Sequence, residues 1–430
     1  MKHTAEQALN VFKAKDRLDA LRALASAREV TRTVGPSGYV NNHIHTTYSF
    51  SPYSPTLAVY KAHAAGLLSA GIMDHDSIAG AREFIEAGAI LDLPVTLGVE
   101  CRVDCSKTKL AGRFINHPDQ RSCAYIALHG IPHTHINTVL DFFTPLIAKR
   151  EVRNRAMTVR LNTRFQGAGL SVDYDKEVRP LSACHDGGTV TERHLLFAAV
   201  KAIVRAAGKG EPLVAFVEQE LKVKLSDRIR DYLCDTANPF LEYDLLGALK
   251  SEFTPAFYID ATDECPDIRV MGLFAEKCGA ILAYAYLGDV AESPTGDKKA
   301  QRFEDEFLDL LFEEITALGF RAVTYMPSRN TLPQLLRIQA LCKKNNLLEI
   351  SGEDINSPRQ SFICEALQRP EFRHLADMTW ALIGHERAAT TDSSAGFFSA
   401  ETVKRFPSLQ ERVRHFRETG LSARAKGASA

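Results

Sequence analysis

The chain has 430 residues with 52 Lys+Arg against 53 Asp+Glu, a net charge of −1 that gives no global attraction to nucleic acid or to an anionic membrane. Hydrophobic content of 45% and charged content of 24% fit a soluble globular protein with room for an insertion or a second domain. No run approaches the roughly 18–20 apolar residues of a membrane span, and nine cysteines without a dense framework indicate reduced thiols and a cytoplasmic setting.

Residues 5–33 carry helical apolar spacing, with Lys13, Lys15, Asp16, Arg17 and Asp19 interrupting any secretory apolar core. After Gly35-Pro36-Ser37-Gly38 a strand–helix alternation begins. Strands are expected at Tyr39–His45, Gly71–His75, Pro94–Glu100 and Ala124–Leu128, with helices at Thr56–Ala65 and Ala79–Leu91. The alternation resumes with strands at Ala280–Ala285, Arg321–Tyr325 and Leu347–Ser351, a long helix through Phe303–Leu318 and another at Leu332–Leu341. Seven strands separated mostly by helices argue for an α/β protein with a parallel sheet or barrel.

Between the two runs, Ile136–Arg164, His194–Ala207 and Pro212–Leu233 carry helical patterns. The chain is therefore divided into a helix at 1–36, barrel parts at 37–133 and 271–390, a helical insertion at 134–270 placed over the barrel mouth, and an extension at 391–430. The extension holds Phe397-Phe398 and a weak helix at Glu401–Thr419, and its small, polar end at Ala423–Ala430 is expected to be disordered.

The chemically loaded residues fall near strand ends. In Asn42-His43-Ile44-His45 the two imidazoles are about 7 Å apart along one face of an extended segment and converge on one pocket. His75, flanked by Asp74 and Asp76, closes the next strand; Glu100 and Asp354 follow in the same relation. In a β/α barrel that placement delivers side chains to one mouth. Three imidazoles and two carboxylates suit divalent metal, which activates water and neutralises phosphoryl charge.

His43-Ile44-His45-Thr46 with Ser49, Asp74-His75-Asp76, Gly98-Val99-Glu100 and Gly352-Glu353-Asp354-Ile355-Asn356, in that order, resemble the polymerase and histidinol phosphatase (PHP) family across residues 39–129 and 278–360. The resemblance implies a distorted (β/α)7 barrel with a helical insertion and hydrolysis of phosphate esters. It implies His43, His45, His75, Glu100 and Asp354 as metal ligands, with Asn356 in a further ligand position. Four positions depart from the family's pattern: Phe50-Ser51, Tyr125, Ala283-Tyr284-Ala285 and Asn356 stand where further ligands commonly occur. Tyrosine is a poor ligand at neutral pH, whereas asparagine can offer a carbonyl oxygen to Mg²⁺ or Mn²⁺. One or two divalent ions (Mn, Zn, Fe or Mg) per chain are therefore expected rather than three.

Asp76 and His129 are candidates for proton transfer. Arg193 and His194, in a segment similar to one that small PHP phosphoesterases carry near substrate phosphate, and Arg329 are candidates for anion binding, as are Arg150, Arg153 and Arg155. The expected activity is hydrolysis of a small phosphorylated metabolite, with nucleic acid disfavoured. The alternatives are a nuclease of the same family, or a barrel that has lost catalysis and serves as a binding scaffold.

Overall fold

The computed structural model describes residues 2–32, 38–290 and 302–427. Its sheet has seven strands in sequential order: β1 (Val40–Ile44), β2 (Ser69–His75), β3 (Val95–Asp104), β4 (Cys123–His129), β5 (Ile281–Ala285), β6 (Ala322–Tyr325) and β7 (Leu348–Ser351). His45 N–H donates to the Ile355 carbonyl at 3.0 Å and Ile355 N–H to the His43 carbonyl at 3.1 Å, so the chain leaving β7 reaches β1 and nearly closes a barrel. This is the expected distorted seven-stranded α/β barrel.

One strand departs from the expected parallel arrangement. β4 runs antiparallel to both β3 and β5, while the other four pairings are parallel. A parallel return needs a crossover, usually helical. The segment from Cys105 to Ser122 holds no helix, and Cys105 N–H bonds the Ser122 carbonyl to tie the returning chain beside β3. The reversal also turns the end of β4 toward the floor of the barrel, away from the mouth.

Helices α1 (Lys2–Ala8) and α2 (Ala14–Ser26) replace the single N-terminal helix expected. The break is held by polar contacts: Ser54 Oγ donates to the Leu9 carbonyl, and Arg17 donates to the carbonyls of Val11 and Phe12. Around the first half of the barrel lie α3 (Pro55–Ala64), started by the Ser54 side chain accepting from Leu57 N–H, and α4 (Ala81–Ile90). The insertion contains α5 (Ile136–Phe165), α6 (Glu192–Ala207), α7 (Glu211–Gln219), α8 (Asp227–Cys234) and α9 (Leu241–Phe257). The expected Pro212–Leu233 helix is two helices, and α9 was not anticipated. These helices share a core of their own, built on Leu161, Phe165, Leu195, Val200, Leu249 and Phe253.

The second half adds α10 (Ile268–Lys277), α11 (Leu308–Ala317), which starts later than the predicted helix, and α12 (Leu332–Lys344). α13 (His374–Thr391), α14 (Ala400–Arg405) and α15 (Leu409–Gly427) then cover the barrel floor. The weak C-terminal helix is thus two helices, and 423–427 are helical where disorder was expected; 428–430 lie outside the described residues. Met73, Ala127, Ile281, Ala283, Ala322 and Ile350 fill the lower barrel against Leu382, Phe397 and Phe416. Among the described residues no helix is long and apolar enough to cross a membrane. All nine cysteines are free thiols.

Candidate metal centre

Strand alternation builds the site. Glu100 pairs with His75 across β2–β3 and with Ala127 across β3–β4, so it points into the barrel beside the end of β2. It lies in mid-strand, because β3 continues to Asp104 as a hairpin with β4. His43 on β1 and His45 just beyond it share the inward phase.

The five predicted ligands converge. Glu100 Oε2 is 3.3 Å from His75 Nδ1, 3.5 Å from His43 Nε2 and 3.9 Å from His45 Nε2. His43 Nε2 and His45 Nε2 are 3.2 Å apart, and His45 Nε2 is 3.2 Å from Asp354 Oδ1. His43, His45 and Glu100 alone offer three ligand atoms within 4.8 Å of one another, a candidate metal site. Two ring nitrogens facing each other and a carboxylate at this spacing are a donor set that suits a divalent cation.

Hydrogen bonds behind the ligands fix their aim. Ser49 Oγ lies 3.2 Å from His45 Nδ1 and donates to Asp74 Oδ1 at 2.6 Å. Asp74 also accepts from Thr46 N–H and Thr46 Oγ1. Holding Nδ1 leaves Nε2 of His45 to face the cluster.

The electrostatics favour the ligand-ready forms of Glu100, Asp354 and His75. Burial would raise Glu100, yet the His75, His43 and His45 rings around it hold its carboxyl down at about 2. Burial would likewise raise Asp354, but its hydrogen bond with His45 and the charges of His45, His43 and Arg193 keep it well below the usual range. Burial pushes His75 well below an ordinary histidine, with His45, Arg150 and Arg193 adding to the effect against Glu100. Burial would lower His43 too, but its bond to Glu100 and the charges of Glu100, Asp354 and Glu353 together raise it.

The remaining predicted residues divide. Arg193, at the start of α6 and half-buried, acts electrostatically on both His75 and Asp354 and, among the described residues, makes no hydrogen bond or ion pair of its own. Asn356 donates Nδ2 to Asp354 Oδ1 at 2.5 Å and so buttresses a ligand. Asp76 is tied by an ion pair to Arg150. Its backbone is left-handed, φ 53°, and its N–H bonds the Glu100 carbonyl.

His194 turns away. Its Nδ1 accepts from Thr191 N–H at 2.9 Å, completing the N-terminal cap of α6, and its ring meets Phe50 at 5.0 Å. His129 pairs with Gly98 and Ile281, one inward layer below Glu100, buried toward the floor by the antiparallel run of β4. His133, beyond it, bonds Glu386 on α13. Arg329 gives Nε to the Leu287 carbonyl. Arg153 is bound by Glu264 and Glu192, and Arg155 by Asp175.

The substituted positions have structural work. Phe50 packs on His194, Phe197 and Tyr243 of the insertion. Tyr125 faces inward near His75, 5.7 Å between centroids, and stacks on His117. Tyr284 points outward into the main core and donates to Glu304, so it never competes for a ligand place. Sequence reasoning missed Arg102, buried at the mouth and bonded to Glu192 and Glu264. Its place two residues past Glu100, in the same strand phase, was the available signal.

The insertion lies at the mouth. Ala183 N–H bonds the Thr47 carbonyl, Thr189 N–H the Tyr48 carbonyl, and Ser77 Oγ donates to the Gly187 carbonyl. No protein-family model and no curated protein matches the chain. Solved structures do. A protein from Bifidobacterium adolescentis classed as a metal-dependent phosphoesterase superposes with TM-score 0.51 and 19% identity, over 80% of this chain and 97% of that one. An amidohydrolase from Chromobacterium violaceum, solved with sulfate and no metal, gives TM-score 0.50 and 16% identity over 79% and 96%. The chain shares their fold.

Proposed function

We propose that the protein is a metal-dependent phosphoesterase of the PHP type that hydrolyses a small phosphomonoester. One observation carries the reading: three imidazoles surround a single oxygen of Glu100 within 3.9 Å at the mouth of the barrel. His43, His45, His75, Glu100 and Asp354 would hold one or two divalent ions, Mn²⁺ or Zn²⁺ being the first to test. Such ions supply Lewis acidity that ionises water near neutral pH and offsets phosphoryl charge.

The chain's own residues do the rest. Glu100 and Asp354, kept ionised, balance the cation. Ser49 and Asp74 hold the His45 ring, and Asn356 holds Asp354. Arg193, which acts on His75 and Asp354 and has no ion pair among the described residues, binds and orients the phosphate as a planar fork. Asp76, bound to Arg150, fixes the turn after His75 against α5 and takes no proton-transfer role; neither does His129, shut in the layer below. The insertion supplies Arg193 and limits the leaving group to a small molecule.

A hydrolysis screen of the Mn²⁺- or Zn²⁺-loaded protein against small phosphorylated metabolites tests this. Turnover of sugar, nucleotide or amino-acid phosphates, lost in Arg193→Ala mainly through KM, is expected. A metal-loaded protein inert to the whole panel would overturn it.

A further inference from the structure

A second cavity lies at the opposite end of the barrel. It has a volume of about 460 Å³, within the range of small-molecule sites, and is walled by His135, Leu273, Gly279, Arg321, His385 and Phe398. These residues come from the loop after β4, from α10, from the starts of β5 and β6 and from the α13–α14 region. None belongs to the metal centre.

Two features of its walls ask for an anion with an apolar body. His385 is 3% exposed, and its Nδ1 accepts from Phe397 N–H at 2.9 Å, which puts the ring proton on Nε2. The Gly279 and Gly130 carbonyls are the backbone partners of that Nε2–H, but among the described residues none meets it in good hydrogen-bonding geometry. Nδ1 of His135 is likewise buried without a partner. Buried polar atoms are rarely left so.

The charged lining is mixed: Arg321 shares it with Glu276 and with Arg269, which is paired to Asp267. Arg321 is exposed, makes no ion pair among the described residues, and lies over the Phe398 ring at 5.6 Å. Behind that ring Arg412, 3% exposed, stands 5.6 Å from both Phe397 and Phe398, and its guanidinium donates to the carbonyls of Phe406 and Pro407. Burial and then Arg321 lower Arg412 against the opposing charge of Glu411, so the two guanidiniums are close enough to repel. Leu273, 72% exposed at the rim, and Phe398 supply apolar contact.

We infer that this floor cavity binds a small organic monocarboxylate, its carboxylate on Arg321 and the His385 Nε2–H and its apolar body against Phe398 and Leu273. The guanidinium fork matches a carboxylate, and an acceptor at Nε2 satisfies a donor that the protein leaves unmatched. The C-terminal extension forms one wall, so occupancy ties that extension to the barrel.

Calorimetric titration of the full chain with benzoate, 2-naphthoate and decanoate tests the site, with inorganic phosphate as the comparison anion. At least one carboxylate should bind and raise Tm. Arg321→Ala, an exposed change that leaves the fold intact, should weaken it about tenfold. Ala400→Trp, on the wall, should abolish it, while Glu100→Ala at the other end should bind as wild type. No binding by any of the three probes, binding unaltered in both Arg321→Ala and Ala400→Trp, or loss of binding in Glu100→Ala would overturn the proposal.

Discussion

The ring of Phe50 stands edge-on to the ring of His194 at 5.0 Å between centroids, joining the first ligand loop of the barrel to the cap of α6. Phe50 is 5% exposed, so removing its ring opens a cavity where the two cores meet. Phe50→Ala should cost about 3 kcal/mol and raise KM more than it lowers kcat, since Arg193 rides on the same helix. Chemical denaturation and steady-state kinetics check this. Unchanged KM would separate the insertion from substrate binding.

His194 also sets a pH limit. Burial, then Arg150, depress its pKa to about 3 from an ordinary 6.5. The unfolded chain therefore takes up a proton that the folded chain refuses, so this contribution is whole above pH 6.5 and is lost as pH falls toward 3. His194→Gln, which keeps a cap-capable side chain, should flatten the acid limb of stability by about 1.4 kcal/mol per pH unit between pH 6 and 4. Denaturant titrations at stepped pH give the slope, and equal slopes in both proteins would refute the assignment.

Much of this site was legible because strand alternation is rigid. His43, His45, His75 and Glu100 share one inward phase, and spacing alone places them together. Phe50 and Tyr284 misled for a related reason: motif position says which residue replaces a ligand but not which way it faces. Tyr284 is in the outward phase of β5 and never approaches the mouth. His129 lies one layer below Glu100 and not at the mouth, because strand direction is invisible to a local pattern. The only clue to the reversal of β4 was the missing helix between Asp104 and Cys123. The floor helices escaped because α13 is apolar on several sides and buried, so it shows little amphipathic contrast.

Those floor helices depend on two glycines. A Cβ on Gly384 would lie 1.9 Å from the Phe416 carbonyl oxygen, and one on Gly420 would lie 2.1 Å from that of Trp380. Both neighbours are backbone, so α13 and α15 must part. Gly384→Ala should lose more than about 2 kcal/mol. Gly247→Ala on α9, with nothing within 4 Å of its Cβ, should be neutral or gain up to about 1 kcal/mol. Equal midpoints for the two variants in urea would show that the close approach is not required.

Ser49 should matter without touching metal. Ser49→Ala frees the Nδ1 side of His45 and leaves one oxygen of Asp74 short of a donor. Metal affinity should fall about 10-fold or more, with little change in the circular dichroism spectrum. Competition with a chelating dye reads the affinity. An unchanged constant would mean that His45 is aimed by the backbone alone.

The central claim rests on Glu100 as the hub of a metal centre that hydrolyses phosphomonoesters. Metal content by plasma mass spectrometry and p-nitrophenyl phosphate turnover, measured together on Mn²⁺-loaded wild type and Glu100→Ala, address it most directly. One or two ions per wild-type chain are predicted, with turnover falling at least about 100-fold in the variant at an unaltered Tm of the metal-free proteins. Wild type that retains no ion, or a variant that turns over as fast as wild type, would contradict the account.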